Sequence, residues 1–340
     1  MEMKLALELG VSAAKVFFNG PYKQHEHVLS LLNAGGTVNI DSREELQLIA
    51  CSADHHKGKP FRLGLRCNFD VKDGVLSRFG FDTERQEFLD AVTLIDAHPK
   101  LKLEGLHCHF ATRSLECWKN RTKGMIAVID HYFRHRLADL SHVSLGGGLY
   151  GYMPNDLKAQ FPVEIPEFVE YAEVAALPFA KYFERLQINK SPTLIIEPGT
   201  ALVADAMKYV CKVNSIKKVR DRTVATLTGS TYNINPNPNR KNLPIECFPC
   251  PNSNDRCEAK GAYLAGYTCI EGDYLHKEFY GSLAVGDFIV FDDVGSYSIV
   301  MKPPFILPNV AIVEPLQDGQ SFRLIKHGES FDDIFQTFVF

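Results

Sequence analysis

Three groups of residues stand where a parallel sheet presents its chemistry. Residues 193–201 read TLIIEPGTA, a β-branched run that stops at a carboxylate, Glu197, before a Pro-Gly turn. Barrels and open parallel sheets display function at the carboxyl ends of their strands, so a charge placed there is a functional candidate. The bland alternative is a capping or salt-bridged glutamate. His107 and His109 flank Cys108, and alternation along a strand puts both imidazoles on one face. An HxH pair could ligate metal, but the other strand ends offer Asp41 and Glu197 and no further histidine. No metal is therefore expected, which leaves a core histidine or a contact to an organic cofactor. Gly146, Gly147 and Gly148 follow the next strand pattern, and Gly151 completes a formal GxGxxG. A dinucleotide fingerprint must open into a helix. Here Tyr150, Tyr152, Met153, Pro154 and Asn155 follow, which is loop, so the bare amides read as a cradle for one phosphate.

A phosphate cradle, a flat imidazole face and a strand-end carboxylate together are what pyridoxal phosphate requires. The carboxylate would keep the pyridine nitrogen protonated, making the ring a stronger electron sink.

These positions need a scaffold of alternating strands and helices. Strand patterns occur at 15–19, 37–41, 61–67, 103–110, 142–145 and 193–197. Helix patterns lie between them at 24–34, 43–50, 83–98, 115–138 and 165–186. Such alternation is the signature of parallel βαβ units. Six strands do not close a barrel, which in this architecture takes eight. Residues 1–10 read as the middle of a helix with no N-cap residue ahead of them, so either the sheet is open or the chain starts inside a longer fold. After about residue 210 the pattern becomes β-like, with runs at 209–213, 223–228, 261–266, 288–291, 297–301 and 322–325. The expected organisation is a partial (β/α)8 TIM-type barrel over 1–207, α/β in class, then an antiparallel β-sandwich or barrel-like domain over 208–340. Residues 232–257, rich in Asn and Pro, read as a long surface excursion.

Composition narrows the function classes. The 340 residues are 45% apolar and 23% charged with a formal charge of -4, which gives no reason to expect nucleic acid or a membrane as partner. No apolar run approaches a membrane span and the N-terminal stretch carries acids, so a cytoplasmic location is expected. Nine scattered cysteines fit a reducing compartment. Cys247, Cys250 and Cys257 lack a fourth ligand at zinc-knuckle spacing and read as free thiols.

With these residues in place, the chain resembles the fold-type III pyridoxal-phosphate-dependent amino-acid decarboxylases, the group containing ornithine and diaminopimelate decarboxylases. The resemblance runs through FFNGPYK (17–23), NIDSREEL (39–46), SRFG (77–80), GLHCHF (105–110), the triple glycine, IEPG, GYTCIEGD (266–273) and DDVGSY (292–297). It implies that His109 stacks on the cofactor ring, that Gly146, Gly147 and Gly148 bind its phosphate, and that Glu197 pairs with the ring nitrogen. Tyr297 would add a phosphate hydrogen bond. Cys269 would protonate the product in a partner subunit's site, with Glu271 and Asp273 close to substrate, so a homodimer with shared sites is implied. The implied reaction is α-decarboxylation of a basic, diamino-type L-amino acid.

The departures from the family pattern carry information. The family's His-x-Gly-Ser stands here as His109-Phe110-Ala111-Thr112, and its Glu-Pro-Gly-Arg as Glu197-Pro198-Gly199-Thr200. Phosphate binding would then lean on backbone amides, Thr112, Gly199, Thr200 and Tyr297. The acidic residue common just after the cysteine is Ile270, with Glu271 one place later. The lysine that carries the cofactor in the family has no convincing counterpart among Lys4, Lys15 and Lys23, and the chain reads as a member without its N-terminal strands. A non-catalytic homologue that binds a partner is the alternative. An amino-acid racemase is less favoured, because racemases of this fold set an arginine against the ring nitrogen where this chain has Glu197.

Overall fold

Parallel strands covered on both faces are largely buried, and the first half of the chain is built from short strands of this kind. They are β1 Phe17–Phe18, β2 Thr37–Ile40, β3 Phe61–Asn68, β4 Phe81–Asp82, β5 Leu101–His107, β6 His142–Gly147 and β7 Thr193–Glu197. Every residue of β2 and β6 is buried. The structure, a computed structural model, describes residues 1–188, 190–234, 241–251, 253 and 255–339. It separates into two units, 1–150 with 166–198 and 151–165 with 199–340.

In the first unit the strands lie in the order β1-β2-β3-β5-β6-β7, all pairs parallel, with β4 attached beside β3. The connecting helices are α1 Glu2–Glu8, α2 His25–Asn33, α3 Arg43–Ala53, α4 Gln86–Ala97, α5 Leu115–Val128, α6 Phe168–Val174 and α7 Ala176–Leu186. Ser42 and Ser114 start α3 and α5 by accepting the amides of Glu45 and Cys117, which would otherwise be orphan donors. Leu46 and Ile49 of α3, Phe88, Ala91 and Ile95 of α4, and Trp118 and Met125 of α5 are buried. The sheet curls until its first and last strands meet at their carboxyl ends, where Asn19, just past β1, donates to Glu197 Oε1 at 2.9 Å. This is the curled parallel α/β sheet that the strand-helix alternation implied.

Two glycines keep the inner face of this sheet open to polar side chains. A Cβ at Gly64 on β3 would lie 1.9 Å from Asn39 Oδ1, and one at Gly105 on β5 would lie 1.9 Å from His142 Nε2. The side chains of Asn39 and His142 thus occupy space that any larger residue would take.

Two helices differ from the sequence reading. The pattern at 115–138 is α-helical only to Val128, then becomes a π-helical turn at Ile129–Phe133 and a 3-10 turn at Arg134–Asp139. No Gly or Pro marks that change, so periodicity passed over it. The 165–186 pattern breaks at Ala175, whose φ/ψ of -115°/-72° separates α6 from α7.

The second unit holds β8 Tyr209–Val219, β9 Arg222–Leu227, β10 Ile245–Phe248, β11 Cys257–Ala265, β12 Tyr274–Leu283 and β13 Phe288–Phe291, ordered β10-β13-β8-β9-β11-β12. All of these pairs are antiparallel except β9 with β11. Tyr209, Cys211 and Val213 alternate inward from β8 onto a core with Leu227, Leu264, Phe279 and Phe291. β14 Ile312–Pro315 and β15 Phe322–Lys326 form a separate hairpin. Part of the expected excursion at 232–257 is strand, since β10 pairs with β13; residues 235–240, 252 and 254 of that stretch lie outside the described residues. The run 297–301, expected as strand, is a helical turn at Ser298–Met301, entered through Tyr297 at the left-handed φ of +62°. Among the described residues, no helix is long and apolar enough to cross a membrane.

Candidate functional site

The carboxylate of Glu197 is the centre of the first unit's polar network. Its Oε1 accepts from Asn19 Nδ2 at 2.9 Å, His107 Nε2 at 3.1 Å and Ser144 Oγ at 3.1 Å. Its Oε2 faces His109 Nδ1 at 3.1 Å. Asn39 donates to Asn19 Oδ1 at 2.6 Å and so fixes which way the Asn19 amide points. The five partners of this network come from β2, the end of β5, β6 and the loops after β1 and β5. Burial alone would raise the Glu197 carboxyl, but hydrogen bonds from His107 and His109 outweigh it and hold the group well below the usual carboxylate range. The site therefore contains a fixed negative charge at neutral pH.

His107 is almost fully buried, and burial lowers its pKa below that of an ordinary histidine. As a neutral ring it donates from Nε2 to Glu197 and leaves Nδ1 a buried acceptor with no partner among the described residues. His109 is half-exposed, and its Nδ1 is faced at once by the Glu197 carboxylate at 3.1 Å and by the Gly147 N–H at 3.3 Å. One nitrogen cannot both donate and accept, so the ring is held by only one of these bonds at a time. Ligand atoms of His107, His109 and Glu197 lie within 4.8 Å of one another, a donor set that could also hold a divalent metal.

The triple glycine ends β6 beside this carboxylate, and its lack of side chains is structural. A Cβ at Gly146 would stand 2.4 Å from the Cys108 carbonyl oxygen, and one at Gly147 would stand 2.2 Å from the Glu197 carbonyl oxygen. Gly148 adopts φ +88°. Thr112, half-buried in the loop after β5, has its carbonyl taken by Arg121.

In the second unit, Gly199 and Thr200 form the turn after β7. The Tyr297 hydroxyl lies 3.7 Å from where a Gly199 Cβ would be, so these two positions are neighbours. Tyr297 is 51% exposed and carries the left-handed φ that shapes its turn. Cys269 and Glu271 are exposed on the loop between β11 and β12. Asp273 has a different place from the substrate contact expected of it. It is 3% exposed and accepts five hydrogen bonds, from Ser230 Oγ and from the N–H and hydroxyl groups of both Thr231 and Thr268. Its burial would raise the carboxyl, but those donors lower it, so Asp273 is an internal clamp on the loop that presents Cys269.

Sequence reasoning missed Asn19, Asn39, Ser144 and Arg121. The first two sat inside quoted motifs, and strand-end position was the signal that could have found them. Of the three lysines weighed from sequence, Lys4 and Lys15 are exposed. Lys23 is buried, with its Nζ committed to Glu45 and to the Gly20 carbonyl.

Comparison with known proteins places this geometry. Residues 1–204 match the family described as "Pyridoxal-dependent decarboxylase, pyridoxal binding domain". A probable chloroplastic diaminopimelate decarboxylase of Oryza sativa is 27% identical, over 99% of this chain and 68% of its own length. A diaminopimelate decarboxylase of Haemophilus influenzae is 28% identical, over 98% of this chain and 78% of its own length. The crystal structure of diaminopimelate decarboxylase from M. jannaschii superposes with a TM-score of 0.83 at 23% identity, covering 100% of this chain and 77% of that one.

The residues present fit the group this family binds, pyridoxal 5'-phosphate. An ionised carboxylate suits a protonated ring nitrogen, and the crowded glycines leave backbone where a phosphate needs close approach. Since the family match covers more than half of the sequence, the chain belongs to the pyridoxal-dependent decarboxylases.

Proposed function

We propose that the chain acts in α-decarboxylation of a basic, diamino-type L-amino acid, with diaminopimelate the first substrate to try because the relatives above carry that name. The observation that carries this reading is Glu197, ionised, its Oε1 filled by three donors and its Oε2 answering, among the described residues, to His109 alone. Oε2 is thus the atom with capacity left for an N–H of a ligand. Pyridoxal phosphate, when bound, supplies the conjugated ring that takes up the electron pair left by a departing carboxylate.

The chain's own residues would do the rest. Glu197 holds a proton at the ring nitrogen, and His109, released from Oε2, packs against the ring. Gly146, Gly147, Gly148 and Thr112 of the first unit are proposed for the phosphate. Cys269, exposed on its loop, is proposed to deliver the proton in a homodimeric partner's site, with exposed Glu271 meeting the distal ammonium of the substrate. Asp273 would serve by holding that loop in shape.

The test is carbon dioxide release from diaminopimelate, ornithine and lysine by protein supplied with the cofactor. Release with the matching amine, lost in Glu197→Ala, is the expected outcome. Racemised amino acid without amine would overturn it in favour of a racemase. Cofactor binding without any turnover would favour the second reading, a non-catalytic homologue. That reading draws support from Lys23, whose amine is spent on Glu45 and Gly20.

A further inference from the structure

A charged side chain lies directly behind the glycine cradle. Arg121, on α5, is fully buried. Its Nη1 donates to the carbonyls of Leu145 at 2.9 Å and Gly147 at 2.7 Å, and its Nη2 to those of Phe110 at 3.0 Å and Thr112 at 3.3 Å. The guanidinium carbon sits 4.3 Å from the ring centroid of Trp118, whose own Nε1 donates to the Gly148 carbonyl at 3.0 Å. One turn further along α5, Gly124 lets the helix come this close, since a Cβ there would stand 2.2 Å from the Phe69 ring.

This arginine has no counter-ion among the described residues, and its Nε is buried with no acceptor. The thiol 3.9 Å away, Cys117, is pushed up by burial and stays neutral. A buried cation with only carbonyls for company is costly, and such a charge is kept where an anion can answer it. The carbonyls of Phe110 and Thr112 belong to the loop after β5 and those of Leu145 and Gly147 to the end of β6, the segments that carry His109 and the glycines. Among the described residues every peptide is trans, so a carbonyl turned toward the guanidinium turns the next N–H away from it. The amides after those four carbonyls, at Ala111, Arg113, Gly146 and Gly148, therefore point outward from the cation. Their positive ends and the buried charge add in the same direction.

We infer that Arg121 is the charge counterpart of the cofactor's phosphate, a positioning residue that acts through the peptide groups of 110–113 and 145–148. The inference rests on the reading of Gly146–Gly148 as a phosphate cradle.

The test uses 4-deoxypyridoxine 5'-phosphate, which has no aldehyde, so its binding needs no lysine, with unphosphorylated 4-deoxypyridoxine as control. Calorimetry on the full chain should show that the phosphate strengthens binding. Arg121→Met should weaken only the phosphorylated ligand, by about 10–100-fold, the range for one charge-assisted interaction, with Arg121→Lys falling between. Equal losses for both ligands, or an unchanged ratio, would overturn the inference. If the unaltered chain shows no preference for the phosphorylated ligand, it is the cradle reading that fails.

Should the variants not fold, the unaltered protein still decides. Trp118 is the sole tryptophan, stacked on this guanidinium and bonded to the cradle. Inorganic phosphate should shift its emission, and the phosphorylated ligand should compete. An emission unmoved by phosphate, while the phosphorylated ligand binds, would sink the proposal.

Discussion

Asn19 and Glu197 are 178 residues apart in sequence and joined by a hydrogen bond of 2.9 Å. Asn19 follows the first strand of the sheet and Glu197 ends the last, so this one bond ties the two sheet edges at the end where the site lies. Asn19→Ala should cost about 1.5–3 kcal/mol, the worth of a bond to a charged acceptor, read as a lower urea midpoint. Asn19→Asp should be worse at neutral pH because two carboxylates then face each other. It should recover as pH falls through the carboxylate range, and a loss that does not depend on pH would count against the contact.

His142 gives a pH dependence whose sign can be worked out. Burial, with Arg62 adding to it, lowers the imidazole from 6.5 to about 4. The unfolded chain therefore binds the extra proton first, and stability is complete above 6.5 and lost as pH falls toward 4. The loss from this residue amounts to about 3 kcal/mol. Replacing it with non-titrating Gln should flatten the midpoint-against-pH curve across that window, and an unchanged slope would refute the assignment.

Gly147→Ala places a methyl 2.2 Å from a backbone oxygen, and backbone on both sides must move. A cost of about 2–4 kcal/mol is expected, with loss of phosphorylated-ligand binding. Gly272, with nothing within 4 Å of its added methyl, is the control; Ala there should change stability by less than about 0.5 kcal/mol.

Asp273→Ala would strand three buried and two part-buried donors and should destabilise the second unit by about 3–5 kcal/mol. Because Thr268 is anchored to that carboxylate, the neighbouring Cys269 thiol should react faster with a thiol reagent in the milder Asp273→Asn variant. An unchanged rate would mean that the clamp does not shape the loop.

Much of the site was legible because strand ends announce themselves. Glu197 closes a β-branched run whose bounds, 193–197, are those of β7, and the same logic found His107, His109 and the glycines. Arg121 escaped because a lone cation inside a helical pattern reads as solvated surface, and only the structure shows it turned inward onto carbonyls. Asp273 was misplaced for the opposite reason: a motif gave it chemistry, while its five donors come from elements 43 residues away as well as from its own loop. β12 was missed because Glu278, at φ +64°, and Gly281 interrupt its alternation. Tyr297–Met301 had strand composition, and a single left-handed residue decided against it.

The Gly64 and Gly105 gaps carry a consequence for how the first unit reaches its folded state. Asn39 and His142 can enter the sheet interior only where those strands present no side chain, and the sheet interior exists only once β2, β3, β5 and β6 have docked. The polar network is thus assembled from pairings of high sequence separation, with nothing local to form it early. Charge, neutral imidazole and cradle are therefore brought together only by closure of the sheet, because Asn19, Asn39, His107, Ser144 and Glu197 come from five different strands or strand ends.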